Sequence, residues 1–200
     1  MKNLIGQNKA KSMQQDTLEY GATYHICNSG NNKEDIFKED KNYAFFLLQM
    51  KKHLLPVADI YAYCLMKNHY HLLLHFKQSD DNMDMEPYRA LSNMFNAYAK
   101  GINKEYGRTG SLFQKHMTRH RVTGEEYFMQ LVVYIHLNPI KHGFTSSLNY
   151  PHSSYLSIVS DKPTNLKRDV VLDYFDDVDN LIAWHDFKKL QHEKIKELTY

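Results

Sequence analysis

Polar and apolar positions follow two different periods along this chain, and the switches between them mark out its elements. Residues 22–30, ATYHICNSG, have strand character and run into the turn signal SGNN. Residues 41–55, KNYAFFLLQMKKHLL, carry apolar side chains at helical spacing until Pro56 ends the run. ADIYAYCLM (58–66) and HYHLLLHF (69–76) read as strands, and the KN between them predicts a tight antiparallel hairpin. Residues 86–106 are helical, with Leu91, Met94, Phe95, Tyr98 and Ile102 along one stripe. HMTRHRV (116–122) alternates as a strand. Thr123 is the expected N-cap of a helix over 125–138, with Glu126 completing a capping box and Pro139 ending the helix.

The order β-α-β-β-α-β followed by a helix predicts an α+β fold of the ferredoxin-like, split βαβ kind. Its four-stranded antiparallel sheet is expected to carry helices on one face. A length of 200 residues suits one domain with appendages. Residues 1–19 are polar and aperiodic and read as a tail, 20–155 as the folded domain, and 156–200 as a C-terminal helical extension holding Trp184. No apolar run approaches the roughly 20 residues of a membrane span, and the N-terminus lacks the apolar centre of a signal peptide. Cys27 and Cys64 both sit in apolar strand-like runs, so they read as small buried hydrophobes in a reducing cytoplasm.

Net charge is only +2, but its distribution is uneven. Residues 100–160 hold seven basic against three acidic side chains, together with His116, His120, His136 and His142. A cationic middle in an otherwise balanced chain suits a polyanion. Within it the glycine-containing loop GRTGSLFQK and the strand after it carry Arg108, Lys115, Arg119 and Arg121, candidates for neutralising a nucleic-acid backbone. Phe113 and His120 are candidates for stacking on splayed bases.

Candidate chemistry concentrates at two spacings. His69 and His71 stand at i and i+2 on a strand and therefore share a face, the geometry a divalent cation needs from its first two ligands. Tyr134 and Asn138 stand at i and i+4 on a helix and share a face as well. Packed on the sheet, that helix would set a phenol and an amide against two imidazoles. The chain has twelve histidines and fifteen tyrosines, so either pair alone would more often be structural. Tyr127 is the next candidate nucleophile; His75 and His136 are assigned to packing or surface. The acidic run DYFDDVDN lacks the glycine and terminal glutamate of a calcium loop, and no GxxxxGK[ST] phosphate loop is present.

Four segments, YHICNSGNNKEDIF, AYCLMKNHYHLLLHF, GRTGSLFQ and YIHLNPIKHGF, occur in an order and spacing that resembles the single-tyrosine transposases of the HUH endonuclease superfamily. The nearest resemblance is to the REP-associated tyrosine transposases, over roughly residues 20–155. It implies that His69 and His71 bind a divalent cation, magnesium or manganese, with Asn138 as third ligand and Tyr134 as nucleophile. It also implies cleavage of single-stranded DNA beside a hairpin through a 5′-phosphotyrosine, with release of a 3′-hydroxyl, in the bacterial cytoplasm at the nucleoid. Homodimers and monomers both occur among such proteins. Lys67 stands where relatives often have proline, a departure confined to the turn. The rival expectation is a hairpin-binding regulator that no longer cuts, since ferredoxin-like sheets serve many nucleic-acid binders.

Overall fold

The computed structural model describes residues 16–79 and 85–198. Its elements are β1 (Thr23–Ser29), α1 (Asp40–His53), β2 (Ala58–Met66), β3 (His69–Phe76), α2 (Pro87–Glu105), β4 (Thr118–Val122), α3 (Glu125–Lys141), α4 (Tyr155–Ile158), α5 (Arg168–Asp173) and α6 (Val178–Leu198). The strands form one sheet in the order β2-β3-β1-β4, with every neighbouring pair antiparallel. This is the α+β, four-stranded antiparallel architecture expected from the pattern. Lys67 and Asn68 make the two-residue connection between β2 and β3, where Met66 pairs with His69.

Strand alternation divides the core in two. From β3, Tyr70, Leu72, Leu74 and Phe76 point to one side, where they meet Tyr24 and Ile26 of β1, Phe46 and Met50 of α1, and Leu91, Met94 and Tyr98 of α2. Leu73 points to the other side, with Ala62 and Cys64 of β2, Val122 of β4, and Val132 and Ile135 of α3. Helices therefore cover both faces, which corrects the expectation that they lie on one. The reason is visible in β2, which is buried along nearly its whole length and so needs a partner layer on each side.

The boundaries of α3 also differ from the reading above. Thr123 is not the cap. Gly124 holds that position with φ of 84°, and no side chain caps the helix. Glu125 and Glu126 instead place negative charge in the first turn, where the helix dipole favours it. Pro139 does not end the helix, which runs on to Lys141 because Pro139 and Ile140 are buried and tertiary packing holds the last turn. The actual stop is a Schellman motif: Gly143 N–H donates to Ile140 O (3.1 Å) and Phe144 N–H to Pro139 O (2.8 Å). Gly143 takes φ of 74°, a left-handed conformation that a side chain would strain.

Both sheet edges are covered. Along β2, Leu65 N–H donates to His152 O (2.9 Å) and Ser154 N–H to Tyr63 O (2.9 Å). Along β4, Asp16 N–H donates to Arg119 O (3.3 Å) and Arg121 N–H to Asp16 Oδ2 (2.6 Å). Each chain segment occupies backbone groups that an open edge would offer to another molecule. The expected tail lies outside the described residues as far as residue 15. No helix among the described residues is long and apolar enough to cross a membrane.

A buried polar chain joins α3 to α6 and to β2. His136 is 1% exposed and His185 fully buried. His185 Nδ1 lies 2.7 Å from Leu181 O, an acceptor only, so that nitrogen carries the proton. His185 Nε2 then accepts from His136 Nδ1 (2.8 Å), and His136 Nε2 accepts from Ser154 Oγ (2.8 Å). Ser154 Oγ in turn accepts Tyr63 N–H (2.8 Å). Every link is satisfied with both imidazoles neutral, and burial holds both below the ordinary histidine range, His185 to about 4.

His185→Ala removes one acceptor and leaves His136 Nδ1–H buried without a partner, which should destabilise the fold by about 1–3 kcal/mol in urea unfolding. The pH dependence has a definite sign. The unfolded histidine ionises near 6.5 and the folded one near 4, so its stabilisation is complete above the first value and is lost as pH falls toward the second. The thermal midpoint should therefore drop between about pH 6.5 and 4, and drop less steeply in His185→Gln, whose amide oxygen still accepts from His136.

Candidate active site

β3 presents His69 and His71 on the face covered by α3. The stripe of α3 at 134, 138 and 142 runs along the same line, one turn per step. Its two ends are fixed by ring contacts. Tyr134 meets His71 edge-on at a centroid distance of 5.7 Å, and His142 meets His69 at 4.8 Å. Asn138 lies between those two positions on the helix. Packing of the apolar α3 face against Leu73, Ala62 and Cys64 holds the helix on this side of the sheet.

The two histidines are held by their Nδ1 atoms. His69 Nδ1 donates to Asn68 Oδ1 (2.7 Å), which leaves the lone pair on Nε2. His71 Nδ1 lies 2.9 Å from His25 Nε2, and the rings stack at 5.2 Å. A donor role for His71 in that bond frees its Nε2 in the same way, the arrangement by which outer partners orient metal-binding histidines. Burial first, and the neighbouring imidazoles second, lower His71 to about 2 and His25 and His69 to about 4. All three are neutral at physiological pH, the form that can donate a lone pair to a cation.

Asn138 is fully buried. Its Nδ2 donates to Tyr134 O (2.8 Å), whereas its Oδ1 has no hydrogen-bond partner. A buried amide oxygen without a partner is disfavoured by about 1–3 kcal/mol, so an oxygen left in that state calls for a ligand. A divalent cation fits it, together with two neutral imidazole nitrogens. A second donor set shares His71: one ligand atom each from His25, Cys27 and His71 lies within 4.8 Å of the others. Cys27 and Cys64 flank His71 in the sheet register, and both are free thiols. Burial raises Cys27 above the usual thiol range, which weighs against the thiolate form that metals prefer.

Tyr134 is 37% exposed and keeps a solvent-facing side. Lys141 Nζ stands 4.5 Å above its ring, close enough for a cation–π contact, and partial burial lowers that lysine from its ordinary range. Tyr127 lies two turns back toward the start of α3 and is also exposed. His75 bonds Thr23 Oγ1 through Nδ1 (3.0 Å), a packing role.

Of the expected DNA-contacting residues, Phe113, Lys115 and Arg119 line one cleft, and Arg108, His120 and Arg121 are not part of its lining. Arg108 is ion-paired with Glu34 and bonds Asn103 Oδ1 (2.7 Å), so it braces its own loop. Phe113 is buried among Tyr70, Phe95 and Tyr98, so that only an edge of the residue lines the cleft. His120 pairs with His25 and shares the candidate-site face. Arg119 and Arg121, one residue to either side, point to the opposite face. Arg121 pairs with Glu19 (2.6 Å), while Arg119 and exposed Lys115 border a cleft of about 550 Å³ against Tyr88 and Asn96 of α2. Sequence reading missed His25, Lys141 and His142 as site residues. His25 had a usable signal, its alternation with Cys27 on the first strand, but only the β1–β3 register sets it beside His71.

A histidine pair on an antiparallel sheet thus lies beneath a helix whose Tyr134 and Asn138 share one face. No family model matches the chain. A Haemophilus influenzae protein carrying the name REP-associated tyrosine transposase is 26% identical over 102 residues, covering 47% of this chain and 57% of that protein. The solved structure of a REP-associated tyrosine transposase bound to a REP hairpin superimposes with a TM-score of 0.62 at 16% identity, over 76% of this chain and 89% of that one. In sequence and in fold, then, this chain resembles the REP-associated tyrosine transposases.

Asn138→Ala should weaken manganese binding by at least about tenfold in calorimetric titration, through loss of an oxygen donor. His69→Ala and His71→Ala should weaken it further while leaving the circular dichroism spectrum intact.

Proposed function

We propose that this chain is a metal-dependent, single-tyrosine transposase or endonuclease of the HUH type, which nicks and rejoins single-stranded DNA beside a hairpin. The observation that carries this reading is the registration of Tyr134 and Asn138 on α3, and of its C-cap His142, over His71 and His69 on β3. The hairpin bound by the structural relative motivates the choice of substrate.

His69, His71 and Asn138 would hold the cation, with the unpartnered Oδ1 as the third donor. All three donors are neutral, which leaves the full charge of a magnesium or manganese ion facing the phosphate. Bound there, such an ion polarises the scissile phosphate and offsets charge developing on its oxygens. Tyr134 Oη attacks phosphorus, the bond from phosphorus to the 3′-oxygen breaks, and that oxygen takes up a proton to leave as a hydroxyl. The 5′-phosphate stays on Tyr134 as an ester, so a free 3′-hydroxyl can attack in reverse and reseal the strand without ATP. A phenol is ordinarily a weak nucleophile at neutral pH and needs help losing its proton. The ammonium of Lys141, over the Tyr134 ring, is placed to meet a phosphate of the incoming strand. Among the expected DNA-contacting side chains, Lys115 is exposed and forms no ion pair with described residues, and half-buried His120 lies on the site face.

The test is a denaturing gel of protein mixed with a labelled pool of single-stranded hairpin oligonucleotides, with manganese or with chelator. Wild type should give a label-bearing protein band that needs manganese. Tyr134→Phe should give none while still retarding DNA on a native gel, and His71→Ala should lose at least about 100-fold in adduct yield. Retardation without any covalent band in the wild type, across a pool wide enough to contain a target, would replace this reading with hairpin binding alone.

A further inference from the structure

The C-terminal helix takes no part in the chemistry above, yet it forms one wall of a cleft that opens onto the nucleophile. On α6, Leu181 and His185 are fully buried against the rest of the fold. Trp184, Lys188 and Gln191, at i, i+4 and i+7, form a neighbouring stripe. They line a cleft of about 340 Å³ whose other wall is Tyr134, Leu137 and Lys141 of α3.

Three features of that cleft point to one kind of occupant. Trp184 is 37% exposed, an unusual state for so large an apolar ring. It also borders a further hollow on its other side, with Ala183 and Phe187, so much of its surface is open. Lysines stand at the aromatic groups: Lys141 over Tyr134 at 4.5 Å, and Lys188 5.9 Å from the Trp184 ring centroid. The polar lining besides these comes from uncharged glutamines, Gln130 and Gln191, and a histidine, so among the described residues no carboxylate lines the cleft. Cations alternating with an open aromatic platform are what a single nucleic-acid strand requires, phosphates meeting the charges and bases stacking on the ring.

We propose that the α3–α6 cleft is a track for the unpaired strand flanking the hairpin, with Trp184 as a base-stacking platform and Lys188 as a phosphate contact. This rests on the function proposed above and gives the C-terminal extension a role in it: leading the strand to Tyr134. A duplex stem offers no splayed base, so the cleft distinguishes flank from hairpin.

The chain contains a single tryptophan, so its emission reports on this cleft alone. The full-length Tyr134→Phe protein, with chelator present, is titrated with a labelled hairpin carrying a single-stranded flank and with the same hairpin made blunt. Emission from Trp184 should be quenched by the flanked hairpin and not by the blunt one, with a midpoint matching fluorescence anisotropy. Trp184→Ala should bind the flanked hairpin about 5- to 100-fold more weakly, and Trp184→Phe should recover most of that loss. Lys188→Gln should lower the slope of log affinity against log salt by roughly 0.7. The assignment is overturned if the flanked hairpin binds by anisotropy with unchanged emission and unchanged affinity in both Trp184→Ala and Lys188→Gln. Emission that instead changes with protein concentration, alongside dimers in sedimentation, gives the face to a second copy and overturns it too. Failure of every hairpin to bind removes the proposed function itself, a result plainly different from binding that ignores Trp184.

Discussion

The position of α3 on the sheet depends on one buried hydrogen-bond chain, from Tyr63 N–H through Ser154, His136 and His185 to Leu181 O. Apolar packing alone leaves a helix able to slide or turn on a sheet, because Val132, Ile135 and their neighbours are shaped but not directional. The polar chain is directional and tolerates one arrangement of protons. It ties α3 at its middle, between Tyr134 and Asn138, to the edge of β2 and to α6. A helix fixed there has its 134–138–142 stripe fixed over β3, and a shift of one residue would turn Tyr134 and Asn138 away from the histidines together.

A second constraint is electrostatic. Four imidazoles, His25, His71, His69 and His142, follow one another in ring contact, the first three on the face covered by α3 and the last exposed at its end. Burial and mutual repulsion keep His25, His69 and His71 neutral, and neutral histidines are the form in which such a cluster can be buried. The same condition makes them lone-pair donors. Asn138 Oδ1, without a partner, adds an oxygen to that set. The folded chain thus bears an unsatisfied polar group at the point where the fold brings its two candidate pairs together, and a strain of that kind is expected at a functional site rather than in a purely structural core.

How legible this was varies residue by residue. The antiparallel hairpin was read from two residues, Lys67 and Asn68, because a two-residue link between alternating runs leaves little else possible. His69 and His71 share a face by the period of a strand, and Tyr134 and Asn138 by the period of a helix; both pairs needed only local geometry. At the end of α3, Pro139 is a strong local signal for stopping. Burial of the last turn outweighed it, and the stop moved to Gly143. Phe113 and Arg108 looked available in a basic, glycine-containing loop and are instead engaged, one in the aromatic core and the other by Glu34. His136 was assigned to packing or surface, which its burial bears out, but its partner His185 lies 49 residues away and no local pattern links them.

What the sequence by itself determined is whatever depends on the nearest few residues: the element order, the class of fold, and which side chains share a face within one element. The tertiary structure decided what depends on residues far apart in the chain. It placed α3 on the face opposite α1 and α2, set His25 against His71 through the β1–β3 register, and put Trp184 of the last helix beside Tyr134. Periodicity says which side of an element is apolar. It does not say which other element will cover it, because that choice is made by the shape and polarity of surfaces that exist only once the chain has folded.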